Sequence, residues 1–516
     1  MRNGGVVVPG SLTSGSRSLT TTQLVLRAAK AATALAGLGV APGDAVVLIL
    51  RNDHAFAEAT IATSILGASA VPINWHLRGN EVAYILEDCE ARAIVVHADL
   101  LDGLHASIPA DIPVVVVKTP PELARAYDIA TVSCAVPPSR VDWDAWIEQY
   151  QPWPQPARQA PNTIMYTSGT TGRPKGVIRK PMPLDRLAQL VRQVSPILGL
   201  WPGVRTVITG PMYHAAPNNF AIFALRENGH VWLQPRFDPE QLLKWVERYR
   251  IESLPMVPIM FVRLLRLPES VRRKYDLSSL RHISHTAAPC PPEIKRGMIE
   301  WLGPIVHEYY GSTETGMSSH CNSAEWLENI GTVGRIAEGC TLKVLDEEGR
   351  QQPAGQPGTI YTKFPIYGDF TYKNLAEQRA EIAHGSFVTA GDVGYLNERG
   401  FLFLCDRSRD LVISGGVNIY PAEIESVLLE MPSIQDCAVF GIPDEEFGES
   451  LMAVIQPRPQ VQIDEDVVRA YIGERLAGYK IPRVIEFREE LPREDSGKIF
   501  KRVLRAPYWE KSGRSI

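Results

Sequence analysis

The segment YTSGTTGRPKGV, Tyr166 to Val177, concentrates hydroxyls, glycines and one lysine in a single short stretch. Glycines let a backbone approach an anion closely, and successive N–H groups can form an anion-binding nest. Thr167, Ser168, Thr170 and Thr171 add hydroxyl donors, Gly169 and Gly172 add backbone freedom, and Lys175 adds a positive charge. Together these are the groups a polyphosphate needs. A Walker A loop requires G-x-x-x-x-G-K-[ST]. Counted from Gly169, Pro174 takes the second glycine position and Gly176 follows Lys175, so this is a different cradle. GLGVAPG, starting at Gly37, has one residue too many for a dinucleotide fingerprint and sits between a helix and a strand in the reverse order. It reads as a helix stop. A G-x-S-x-G nucleophile elbow is absent.

The elements that must position this loop follow an alternating pattern. TTQLVLRAAKAATALAGLGV has helical spacing and DAVVLIL reads as a buried strand. AFAEATIATSILGASAVPI, EVAYILEDCEARAIVVHA and the stretch from Pro239 to Val257 repeat the theme. The expectation is an α/β chain whose large N-terminal domain stacks helices on largely parallel sheets. QPWPQPARQAP, Gln151 to Pro161, reads as an extended connector into the strand NTIMY. GYLNERGFLFLCDR reads as an antiparallel hairpin turning at NERG. Beyond it, DLVISGG, PAEIESVLLEM, CAVFGI, LMAVIQP and DEDVVRAYIGERL form a compact α+β unit. The predicted domains are residues 1–408 and 409–516, joined at Arg409.

Composition narrows the class. The chain is 45% hydrophobic and 22% charged with a net charge of -5, which excludes a basic nucleic-acid surface or a polybasic membrane patch. Seven dispersed cysteines form no C-x-x-C pair, which points to reduced thiols in a cytoplasmic setting. The first residues hold no apolar run of signal-peptide length, and no stretch has the length of a membrane span. HISH places His282 and His285 together, but without further ligands the pair reads as a strand end, not a metal site.

The phosphate segment resembles the signature of the adenylate-forming superfamily, which includes acyl-CoA synthetases, nonribosomal-peptide adenylation domains and firefly-type luciferases. PMYHAA, HTAAPCP, EYYGSTETG, TAGDVGYLNERGFLFLCDR, ISGGVNIYPAEIE, GIPDEEFGE and PREDSGKIFKRVLR follow in the family's order, from about residue 20 to 505. The resemblance implies a small mobile C-terminal domain that rotates between two catalytic poses. It also implies an AMP-forming acid–thiol ligase that uses ATP, Mg2+ and CoA.

Residue roles carry over by motif position. Thr167, Ser168, Gly169, Thr170, Thr171, Gly172 and Lys175 would hold the β- and γ-phosphates. Thr313 would contact the α-phosphate, and Glu314 with Thr170 would ligate Mg2+. Tyr310 would stack on adenine opposite Thr286, Ala287 and Ala288, while Asp392 and Arg407 would bind the ribose hydroxyls. Lys498 would bridge carboxylate and α-phosphate, Arg409 would be the hinge, and Gly415–Gly416 would line the CoA arm. His214, Ala215 and Gly311 would border the acyl pocket.

Three departures stand out: Thr286 where the family often has glycine, Arg409 at the hinge, and IRKP in place of a frequent serine/threonine–histidine pair. They keep open a thioester-only enzyme beside the complete ligase. Intact motifs argue against a silent nucleotide-binding module. The motifs look most like ligases of fatty acids and bulky alicyclic acids of bile-acid or steroid type. The expected substrate is a bulky hydrophobic acid, with a medium- or long-chain fatty acid as the alternative. Partners are small molecules, with no nucleic acid or membrane span, and a homodimer is an assembly open to the family.

Overall fold

The computed structural model describes residues 9–77, 79–157, 163–167, 174–407, 410–414, 417–444, 447–493 and 499–511. The first long helix, Thr21–Gly37, starts where the sequence supplies a reciprocal cap. The Thr20 hydroxyl accepts from the Gln23 N–H at 3.1 Å, and Gln23 Oε1 accepts from the Thr20 N–H at 2.9 Å. The helix ends at Leu38, and Gly39 follows with φ of 84°, so GLGVAPG is the stop its glycines suggested.

Ser69–Pro72, Ala45–Ile49, Ala91–His97, Val114–Val117 and Val141–Asp142 form one parallel sheet in that order. A larger sheet runs through parallel strands His230–Leu233, Arg205–Ile208, Ser253–Met256, His282–His285 and Val306–Ser312. There the largely parallel expectation stops holding. Gly316–Cys321, Thr332–Ile336, Phe401–Arg407, Asp392–Leu396 and Gly358–Lys363 continue it antiparallel. The reason is local: Glu308 to Cys321 turns back through a tight turn, with no crossover helix to keep the strands parallel. One core packs Leu24, Phe56 and Phe220 between the helices and both sheets.

The C-terminal strands form a separate sheet, Val417–Ile419, Val412–Ser414, Gly448–Pro457 and Ile434–Asp444, with Val484–Phe487 added in parallel. Helices Pro421–Glu430 and Glu465–Gly473 cover it around a core of Ile424, Leu428, Val439, Ala453 and Val468. A small domain with its own core therefore follows the large one.

Candidate active site

The strands on either side of the glycine-rich segment pair with each other. Met165–Thr167 and Lys175–Arg179 pair antiparallel with Thr167 opposite Lys175. Phe370–Tyr372 adds a third strand beside Lys175–Arg179, with Tyr372 opposite Val177. Gly176 is required here, since a Cβ on it would stand 2.9 Å from the Tyr166 ring. That ring reaches across so that its hydroxyl donates to Asp88 Oδ2 at 2.6 Å, tying the hairpin to the first half of the chain. Ser168, Gly169, Thr170, Thr171 and Gly172 lie outside the described residues.

The second component is the turn between Val306–Ser312 and Gly316–Cys321. Ser312 Oγ accepts from the N–H groups of Glu314 at 3.2 Å and Thr315 at 3.1 Å, which fixes Thr313 and Glu314 in a tight loop. The strand pairing shifts between Tyr310 and Gly311, and a Cβ at Gly311 would lie 2.0 Å from the Gly316 carbonyl oxygen. Gly311 thus has a backbone reason for being glycine. Behind the strand, the buried Lys295 ammonium donates to Glu308 Oε2 at 2.6 Å.

Hairpin and turn meet at one carboxylate. Glu314 Oε1 accepts from Thr167 Oγ1 and from the Tyr372 hydroxyl, each at 3.3 Å. Burial and the neighbouring carboxylate push the Tyr372 phenol well above its usual range, so it serves as a donor. Lys175 is 7% exposed, with its ammonium 5.3 Å from the Tyr372 ring and no ion pair among the described residues. Arg179, at the far end of the same strand, donates to the carbonyl oxygens of Thr313 at 2.9 Å and Glu314 at 2.6 Å. Tyr372 was not singled out from sequence, and Arg179 stood there only inside the IRKP departure, with no role. Their meaning depends on a strand almost two hundred residues away in the chain.

On the other side, the Tyr310 hydroxyl donates to the buried Asp392 at 2.7 Å. Asp392 stands opposite Arg407 in the register of the Asp392–Leu396 and Phe401–Arg407 hairpin. Thr286, Ala287 and Ala288 follow the strand His282–His285, and Ala287 has φ of 75°. His214 is the residue before the helix Ala215–Arg226, its ring centroid 4.5 Å from that of Tyr213. The Arg407 side chain, Arg409, Gly415, Gly416 and Lys498 lie outside the described residues.

A family model for AMP-binding enzymes matches residues 6–368, and one for the AMP-binding enzyme C-terminal domain matches residues 423–498. The chain is an AMP-binding enzyme. It is 31% identical to indoleacetate–CoA ligase of Aromatoleum aromaticum, over 95% of this chain and 93% of that protein. It is 32% identical to the 3-[(3aS,4S,7aS)-7a-methyl-1,5-dioxo-octahydro-1H-inden-4-yl]propanoyl:CoA ligase of Rhodococcus jostii, covering 95% and 94%. Among solved structures, ATP-bound MatB from Rhodopseudomonas palustris superposes with a TM-score of 0.84 at 27% identity, covering 98% of this chain and 97% of that one. This AMP-binding enzyme is an AMP-forming acid–thiol ligase of the acyl-CoA ligase group. Among its described residues, no helix is long and apolar enough to cross a membrane.

Proposed function

We propose that this enzyme activates a bulky hydrophobic carboxylic acid with ATP and passes the acyl group to CoA. The observation that carries the reading is the single Glu314 carboxylate oxygen held by Thr167 and Tyr372 at 3.3 Å each, beside the buried Lys175. A buried cation without an ion pair is costly until an anion joins it. A carboxylate that faces hydroxyls is a hard oxygen donor of the kind Mg2+ takes. Both features fit a magnesium polyphosphate. Glu314 and Thr170 would hold Mg2+, which supplies charge neutralisation at the phosphate oxygens when bound.

Thr167 through Lys175 would hold the β- and γ-phosphates, and Thr313 the α-phosphate. Tyr310 would stack on adenine against Thr286, Ala287 and Ala288, with its hydroxyl fixed by the Asp392 that also takes the ribose hydroxyls alongside Arg407. In the first half-reaction an oxygen of the acid attacks the α-phosphorus, the bond to the pyrophosphate oxygen breaks, and acyl-AMP forms. Lys498 would stabilise the charge between carboxylate and α-phosphate. In the second, the CoA thiolate attacks the acyl carbon and AMP leaves; Gly415–Gly416 would line its passage after rotation about Arg409.

Small residues favour the substrate reading, since Ala215, next to His214 at the start of its helix, would leave room near the acid's carboxylate. The two ligases compared above are named for acids with a fused bicycle on a short carboxylic arm. Acids of that shape head the test panel. The experiment is ATP–pyrophosphate exchange with fused-ring, aryl and fatty acids, in the absence of CoA. Exchange strongest with fused-ring acids is the expected result. Exchange confined to fatty acids sinks the substrate reading. Silence throughout, with thioester still made from synthetic acyl-adenylates and CoA, leaves the thioester-only enzyme.

A further inference from the structure

Arg179 stands in the IRKP run that departs from the family's frequent pattern, and it is 8% exposed. Its guanidinium has no carboxylate ion pair among the described residues; its acceptors are backbone carbonyls. Nη2 donates to Thr313 O at 2.9 Å and Glu314 O at 2.6 Å, and Nη1 donates to Gly368 O at 2.8 Å and Tyr367 O at 3.4 Å. Its carbon centre stands 5.4 Å from the Phe370 ring and 5.9 Å from that of Tyr367. Arg379 covers the other contact of Phe370 at 4.7 Å, and its own charge is paired with Asp369 at 2.9 Å. The groups that face Arg179 from neighbouring elements are therefore Glu314, Tyr367, Asp369 and Arg379; burial lowers its pKa, Arg379 adds to the fall, and Tyr367, Glu314 and Asp369 oppose it.

An apolar side chain would fill this space without the desolvation cost of a cation. What an arginine adds is a planar fork of donors that fixes several oxygens at once. Residues 175, 177 and 179 alternate to one face of a strand, so Lys175 and Arg179 share a face of Lys175–Arg179 and both are buried. One rigid strand thus carries the phosphate-facing lysine at one end and a clamp on the Glu314 turn at the other.

We propose that Arg179 is a positioning residue for adenylation: it locks the Thr313–Glu314 turn to the phosphate hairpin at the spacing a magnesium polyphosphate requires. The role rests on the reading of Glu314 as a magnesium ligand. Groups that orient a ligating carboxylate typically change metal affinity or activity about 10–100-fold when lost. The second half-reaction uses neither pyrophosphate nor the metal bridge, so Arg179 matters less to it. The departure from the family pattern thereby supports the first reaction instead of weakening it.

The test compares Arg179→Met, Arg179→Lys and Glu314→Gln with the parent enzyme. Calorimetry measures ATP affinity with and without Mg2+, and two assays follow ATP–pyrophosphate exchange and thioester formation from synthetic acyl-adenylate. For Arg179→Met, the Mg2+ enhancement of ATP binding and the exchange rate should each fall about tenfold or more. Thioester formation should stay within about threefold, and Arg179→Lys, with fewer and unplanar donors, should recover part of the loss. Parallel falls in both half-reactions for Arg179→Lys, which keeps the charge if Arg179→Met fails to fold, overturn the proposal. If Glu314→Gln keeps the Mg2+ enhancement, the functional reading fails and the Arg179 role with it. If Glu314→Gln loses the enhancement while both Arg179 variants keep it, the Arg179 role alone fails.

Discussion

Ala287 shows how a departure in sequence becomes a strain in structure. The unusual residue read from HTAAP was Thr286, but the unusual backbone belongs to its neighbour, with φ of 75° in the left-handed region. An L-residue with a Cβ pays roughly 1–2 kcal/mol there, and a glycine does not, though glycine loses about 0.5–1 kcal/mol more chain entropy on folding. The balance favours Ala287→Gly by up to about 1.5 kcal/mol, and Ala287→Val, β-branched, should be worse than the parent by about 1–3 kcal/mol. Urea unfolding midpoints check both, and a midpoint order in which valine exceeds glycine would sink the strain argument. The residue types needed for chemistry were legible because motif spacing is local: Thr167, Lys175, Glu314 and Asp392 all stand in quoted motifs. Tyr372 and Arg179 were not, because only the pairing of Phe370–Tyr372 with Lys175–Arg179 brings them to Glu314.

Among the elements, the strand His282–His285 and its neighbour Val306–Ser312 carry a pH dependence into the core. The rings of His282 and His307 stack with centroids 4.0 Å apart and planes 18° apart. His282 Nε2 lies 3.1 Å from the Ile197 carbonyl oxygen, and Gly199 must be glycine because a Cβ would come within 2.2 Å of the imidazole. Burial, reinforced by the other ring, lowers His282 to about 3; burial, with Lys295 and His320 nearby, lowers His307 to about 4. An unfolded histidine titrates near 6.5, so between about pH 6.5 and 4 the unfolded chain binds protons that the folded chain refuses. Stability is therefore intact above that window and falls as pH drops through it. His307→Phe, which keeps a ring in the stack, should reduce the slope of unfolding free energy against pH by about one proton's worth over this window. An unchanged slope would show that His307 carries no such burden. The strand reading of HISH was sound; the stacking partner, His307, lay one residue before the EYYGSTETG motif, where periodicity gives no sign of it. The antiparallel half of the large sheet was hidden for a related reason, since only its NERG hairpin has a turn signal that names its direction.

Across the whole molecule, the two domains differ in how they were written. The small one was legible in its two long strands, CAVFGI and LMAVIQP, and in its helices PAEIESVLLEM and DEDVVRAYIGERL, because these are contiguous apolar or periodic runs around a private core; the short Val417–Ile419 and Val484–Phe487 carried no such signal. Its contact with the large domain is another matter. Arg266 Nη2 donates to Gln435 O at 2.6 Å beside a cavity of about 170 Å³ lined by Arg263, Arg493, Asp436 and Gln456. A polar, incompletely filled seam resembles a transient interface more than a core, and relative motion is the default for such a contact. Arg493 and Ile499 of the small domain pair in an antiparallel bridge, and Lys498 falls between them in the sequence. If that domain presents Lys498 to the acid and α-phosphate in one pose and withdraws it in the other, its removal must separate the half-reactions. Lys498→Ala should lower ATP–pyrophosphate exchange about 10²-fold, the usual cost of one preorganised charge-stabilising donor. Thioester formation from a supplied acyl-adenylate should remain within a few-fold of the parent, because the withdrawn lysine takes no part in it. Equal losses in both assays would mean that Lys498 supports a single fixed arrangement, and the two-pose mechanism would have to be given up for this enzyme.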